Sequence, residues 1–178
     1  MKFNKISAMI LVSIICIGSS FVTSNAAKKT LSVPQQAQKW NYTCWASCAS
    51  MTSAYFKGNK TNYESSILKY VKGSSVNGNS PSAMGTVLDI EKGVRYKTGK
   101  SGSCKATVPS YTAIRYQINN NGPMVVGLSK KAHAITLKGY NESGSMVLYN
   151  DPATGKGHSA SYSYLTKTFG MRNHAFWK

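Results

Sequence analysis

Pro34-Gln35-Gln36-Ala37-Gln38-Lys39-Trp40-Asn41-Tyr42-Thr43-Cys44-Trp45-Ala46-Ser47-Cys48 is a turn-like polar approach that runs into a helix. The helix is predicted over 43–57 and closes on Gly58, the residue type favoured just past a helix end. Cys44, Cys48, Met51 and Tyr55 recur at i, i+4, i+7 and i+11, which is one helical face. Working outward, 27–33 is polar and expected to be loose, and the Gly/Asn/Ser-rich stretch 73–82 reads as a surface loop. Short helices are predicted over 82–92 and 110–119, the second with Ser110 as its N-cap. The character changes after Asn119-Asn120-Asn121-Gly122-Pro123. Residues 124–129, 133–140, 146–150 and 160–168 are short β-branched or aromatic runs between turn residues and read as strands. Helices first and strands afterwards argue for an α+β fold, with an N-terminal helical lobe carrying Cys44 packed on a C-terminal antiparallel sheet.

The chain of 178 residues is long enough for one domain with a single core. Lys2 and Lys5, the apolar run 6–18 and the small residues Ser24-Asn25-Ala26 read as a secretory signal peptide over 1–26. The run is too short to favour a membrane-spanning helix, so the expectation is an exported, extracellular bacterial protein whose domain is 27–178, without an integral membrane segment. The formal net charge is +17, falling to +15 when Lys2 and Lys5 leave with the signal. That excess draws the chain toward anionic partners such as cell-wall or surface polymers. The lysines are scattered singly, with no aromatic-interleaved motif, so nucleic acid is not expected. A monomer is expected.

Cys44, Cys48 and Cys104 remain after the signal is removed, and an odd count in an exported protein leaves at least one thiol unpaired. Cys44 sits at the start of the predicted helix, where free N–H groups and the helix dipole favour the thiolate, the nucleophilic form. Taken alone, that position fits a small core cysteine equally well. Gln38, six positions earlier, can be folded back by the intervening turn so that its amide donates to an oxyanion beside the sulfur. The backbone N–H of Cys44 would be the second donor.

A base must come from elsewhere in the chain. His158, in the Gly155-Lys156-Gly157 loop, and His174, near the C-terminus, are expected to be ordinary surface residues. His133 heads the strand-like run His133-Ala134-Ile135-Thr136-Leu137-Lys138-Gly139-Tyr140. If Asn141-Glu142-Ser143-Gly144 turns this strand back into 146–150, loops of three or four residues set His133 opposite Asp151 or Pro152. Facing Cβ atoms then lie about 4.5–5.5 Å apart, close enough for Asp151 to orient the imidazole. Asn150 is the alternative, and adjacent strand residues face opposite ways, so only one of the two can serve.

These blocks resemble papain-like cysteine proteases. The Gln38-x5-Cys44-Trp45-Ala46 stretch is similar to the small bacterial branch that includes double-glycine-leader peptidases and secreted effector proteases of plant pathogens. The His133-Ala134…Gly139-Tyr140 strand and Asn150-Asp151-Pro152-x-x-Gly155 resemble the family's His and Asp-Pro…Gly motifs, in the family's order. The resemblance implies a papain-like fold and peptide hydrolysis through an acyl-thioester. Cys44 would be the nucleophile, His133 the base, Asp151 the orienting acid and Gln38 the oxyanion donor, with no metal or organic cofactor. So few residues precede Pro34 in the expected mature chain that an inhibitory prodomain is not expected. The thiols of Cys48 and Cys104 are expected to stay separate, a disulfide between them being the alternative. Three other functions remain open: a peptidoglycan amidase or endopeptidase with the same Cys-His pair, acyl transfer, and a basic binding protein with a vestigial site.

Overall fold

The computed structural model describes residues 26–177. The signal-peptide reading of 1–26 therefore lies, but for Ala26, outside the described residues. The elements are β1 (Lys28–Thr30), α1 (Cys44–Phe56), α2 (Glu64–Lys72), α3 (Val87–Thr98), β2 (Gly102–Lys105), α4 (Tyr111–Asn119), β3 (Met124–Leu128), β4 (His133–Asn141), β5 (Met146–Asp151), β6 (Lys156–Ser161) and β7 (Met171–Trp177). Seven strands make one antiparallel sheet in the order β2-β7-β3-β4-β5-β6, and β1 adds to the end of β4. The fold is α+β, as the order of helical and strand-like segments predicts, with the papain-like layout that the resemblance implies.

Helix α1 is the centre of the helical lobe. Every residue from Trp45 to Ala54 is buried, not only one face. The small residues Ala46, Ser47, Ala49, Ser50 and Ser53 make this possible, because they let α2, α3 and the sheet approach closely. Burying their hydroxyls requires partners. Ser50 Oγ donates to Gln36 Oε1 at 2.6 Å, and Ser53 Oγ to the Ala49 carbonyl at 2.7 Å. Met124, Val125 and Val126 are buried in succession on β3, the pattern of a strand covered on both faces. Helices α1 and α3 cover one face and α4 the other.

Several boundaries differ from the sequence pattern. The segment 27–33 is not loose: β1 pairs with β4, and Leu31 and Val33 are buried. The helix expected over 82–92 is a short turn at Pro81–Ala83 followed by α3, which Thr86 starts with a capping box to Asp89 and Gly99 ends at φ 73°. The expected strand 160–168 splits into the end of β6 and a π-helical turn, Tyr164–Thr168. Helix α2 and strands β2 and β7 lie outside the predicted set. Ser110 caps α4, its hydroxyl accepting from Ala113 N–H at 3.1 Å, as expected. Among the described residues no helix is long and apolar enough to cross a membrane.

Candidate active site

A cleft of about 310 Å³ opens where the tip of α1 meets the β3–β4 end of the sheet. Cys44 and His133 both line it, one from each layer. Cys44 is the first residue of α1. The first bond closing that helix runs from Ser47 N–H to the Thr43 carbonyl, so the N–H groups of Cys44 to Ala46 lie outside the helical ladder. These donors and the positive end of the helix dipole surround the sulfur.

His133 Nε2 lies 2.7 Å from Asp151 Oδ1, which leaves Nδ1 as the ring nitrogen for Cys44. Burial pushes the imidazole pKa down. The hydrogen bonds to Asp151 and Cys44 and the charges of both outweigh that and raise it to about 9. Burial pushes the Asp151 pKa up, but hydrogen bonds from His133 and from Ala153 N–H, the latter 2.8 Å, bring it below the usual value.

The pairing of β4 with β5 differs from the expected hairpin. Asn141 pairs with Met146 across a four-residue turn, Glu142 to Ser145, so neither Asp151 nor Pro152 stands opposite His133. A β-bulge at Lys138 then moves the register by one, and Thr136 faces Asn150. Continued, that register sets Asp151 against Ile135, a diagonal neighbour of His133 on the same side of the sheet. Without the bulge Asn150 would stand on that side instead. Asn150 in fact points the other way, buried, and its amide donates to the Val33 and Pro34 carbonyls at 3.0 and 3.1 Å. The bulge is what brings Asp151, and not Asn150, to the imidazole.

Gln38 lies on the loop before α1, and its amide nitrogen donates to the carbonyls of Trp40 at 2.8 Å and Asn41 at 3.2 Å. Both amide N–H groups are thus engaged within the loop, and the oxyanion donors already free are backbone groups of α1. The opposite wall of the cleft was not legible in sequence. It is formed by Met84 to Val87, immediately after the 73–82 loop. Trp45 anchors it: its indole N–H donates to the Ala83 carbonyl at 2.7 Å, and a Cβ at Gly85 would come within 2.4 Å of its ring. Loop 73–82 instead braces the approach to Cys44, with Gly78 against the Trp40 ring and the Gly78 carbonyl accepting from Tyr42 N–H at 3.1 Å.

The other histidines stand apart. His158 is on β6, 2.8 Å from Thr154 Oγ1. His174 is buried on β7, against the expectation of a surface residue, with Nδ1 3.0 Å from the Thr107 carbonyl. Cys48, Cys104 and Cys44 are free thiols. Cys48 is buried, which pushes its pKa well up, and Cys104 Sγ lies 3.3 Å from the Val87 carbonyl. Among the described residues no three His, Cys, Asp or Glu side chains are grouped to hold a metal ion.

The model of the Peptidase_C39 like family matches residues 30–176, which is nearly all of the described chain. The chain belongs to this family. It is accordingly a cysteine-type peptidase. The C39-like fold is shared with the crystal structure of a candidate C39-like peptidase from Bacillus anthracis. The two are 13% identical with a TM-score of 0.62, over 85% of this chain and 98% of that one. No curated protein matches the sequence.

Proposed function

We propose that this C39-like chain is a secreted endopeptidase that cleaves peptide bonds through Cys44, His133 and Asp151. The observation that carries the reading is the His133 imidazole held between the Asp151 carboxylate and the Cys44 thiol at a cleft. Cys44 sulfur, its proton passed to His133, attacks the scissile carbonyl carbon. The oxyanion is received by the Cys44 N–H and by Gln38, whose longer bond, to Asn41, is the one exchanged for substrate. As the carbon–nitrogen bond breaks, His133 gives its proton to the leaving amine and an acyl-thioester remains. His133 then takes a proton from water, whose oxygen displaces the sulfur and releases the acid. Asp151 holds the imidazole in the tautomer that presents Nδ1 to the sulfur.

Cleavage profiling of a peptide library with the purified protein, with and without a thiol alkylator, tests this. Alkylator-sensitive internal cleavage is expected, and no cleavage of any peptide would end the reading.

One observation keeps a wall substrate in view. Each of the five carboxylates is already engaged inside the molecule, on Lys39 N–H and Thr43, Lys72, Arg95, Arg115 or His133. Little acidic surface is left to balance the lysines, which supports an anionic wall polymer as neighbour or as a peptide-bearing substrate. Casein and purified peptidoglycan digested side by side would separate the two.

A further inference from the structure

Glu64, the first residue of α2, is completely buried. It is the one carboxylate of the described residues without a cationic partner, since Lys39 Nζ reaches past it to Ser65 Oγ at 3.0 Å. Isolated burial of an ionised carboxylate is strongly unfavourable, so the contacts that offset it are informative. Lys39 N–H donates to both oxygens, at 2.9 and 3.1 Å, and the Thr43 hydroxyl lies 2.5 Å from Oε1. Thr43 is the N-cap residue of α1, and its hydroxyl makes no capping bond to that helix. The carboxylate therefore sits where two helices begin, α2 through its own backbone and α1 through Thr43, and both dipoles favour negative charge there.

The two residues it holds bracket the chemistry. Lys39 follows Gln38, and Thr43 precedes Cys44. The same hydroxyl lies 2.9 Å from the Trp40 carbonyl and accepts from Trp40 N–H at 3.3 Å, so the whole 39–43 segment is folded around one carboxylate. That segment sets how far the Gln38 amide stands from the sulfur, and which way the tip of α1 points. Burial pushes the Glu64 pKa up, against the hydrogen bonds from Thr43 and Lys39.

We propose that Glu64 is a positioning residue for the reaction at Cys44, fastening both ends of the segment that joins the oxyanion donor to the nucleophile. This rests on the peptidase reading above. Misplacement of reacting groups by about 1 Å can lower the rate about a hundredfold, which sets the scale of the effect.

The test compares Glu64→Ala, Glu64→Gln and Thr43→Val for kcat and KM on a cleaved peptide, for the rate of Cys44 alkylation by iodoacetamide, and for thermal unfolding. Glu64→Ala, measured where it is folded, is expected to lose about ten- to a hundredfold in kcat with KM within about threefold. Glu64→Gln is expected to recover most of that loss, because its carbonyl still accepts from Lys39 N–H and Thr43 can turn its hydroxyl to the Trp40 carbonyl. If Glu64→Ala fails to fold, Thr43→Val carries the test, with a smaller fall in kcat and a changed alkylation rate. Unchanged kcat in folded Glu64→Ala or in Thr43→Val, or no rescue by glutamine, overturns the proposal. Should the wild type cleave no peptide, the peptidase reading fails by itself. The alkylation rates, altered by alanine and restored by glutamine, still decide whether Glu64 positions Cys44.

Discussion

The backbone N–H of Gln38 donates to the carbonyl of Pro152 at 2.8 Å. This bond joins the loop before the Cys44 helix to the turn just after Asp151, two segments more than a hundred residues apart. The contact is tight: Gly155, at φ 66° in that turn, would bring a Cβ to 3.0 Å from that of Ala37. The turn is closed by Gly155 N–H on the Asp151 carbonyl at 2.8 Å. Acid and proposed oxyanion donor are thus positioned by one shared piece of backbone.

Removing the Gln38 side chain should leave that backbone bond intact while deleting the amide. Gln38→Ala is expected to lower kcat by about a hundredfold or more, with a smaller change in KM. Steady-state kinetics with a peptide substrate checks this, and a purely KM-based loss would remove Gln38 from the oxyanion role.

Cys44→Ala should abolish both cleavage and labelling by an active-site thiol probe. His133→Ala should reduce cleavage by about a hundred- to ten-thousandfold, the usual range for losing a general acid–base. Equal labelling of wild type and Cys44→Ala would instead favour a vestigial site.

The two neighbours on β5 should separate cleanly. Asp151→Asn removes the charge that orients His133 and is expected to lower kcat/KM by about a hundredfold or more, with folding retained. Asn150→Ala releases the Val33 and Pro34 carbonyls and should reduce stability by about 1–3 kcal/mol, with kcat within about threefold. The reverse pattern in kinetics and thermal melts would mean that Asn150 is the orienting group.

Stability should depend on pH through the same pair. His133 has its pKa raised from 6.5 to about 9, so its contribution is whole below pH 6.5 and disappears as pH rises through 9. A shift of that size corresponds to on the order of 3 kcal/mol. Asp151 has its pKa lowered from 3.8, so its contribution is present above that value and is lost as pH falls through the folded-state value. Thermal unfolding of wild type and His133→Ala across pH 5 to 10 should show a gap that narrows between about 6.5 and 9. A gap that stays constant would contradict the pairing.

Gly85→Ala should force Trp45 or the cleft wall to move, because the added carbon would lie 2.4 Å from the indole. Overpacking of this kind costs about 1–3 kcal/mol. Raised KM together with a lower Tm is expected, and wild-type values for both would show that the wall is free to shift.

The chain's charge balance explains a feature of its surface. With 22 Lys and Arg against five Asp and Glu, most cations have no carboxylate to meet. Aromatic rings take part of that role. Lys97 Nζ lies 4.2 Å from the Tyr96 ring centre, and Lys100 and Lys131 each lie 5.4 Å from a ring, those of Phe56 and Phe169.

Local sequence was sufficient for the elements with a strong local signal. The Cys44 helix, the Ser110-capped helix and the strands heading from Met124, His133 and Met146 are each readable from periodicity, capping and turn residues. Helix α2 does carry a local signal, with Ile67, Leu68 and Val71 on one helical face, whereas strands β2 and β7 are held by pairing with each other and with β3 across long stretches of sequence. The buried state of His174 follows from the same cause.

The sequence by itself determined that a cysteine would open a helix, that an amide would stand six positions before it, and that a histidine would open a strand. Those are properties of adjacent residues, and they survive translation into any compact fold. Only the tertiary structure decided which β5 side chain meets the imidazole, because side chains alternate along a strand and one bulge at Lys138 reverses the outcome. It also decided that Met84 to Val87 wall the cleft and that Glu64 fastens the loop before Cys44. Both depend on long-range packing, around Trp45 in the first case and between two helix starts in the second.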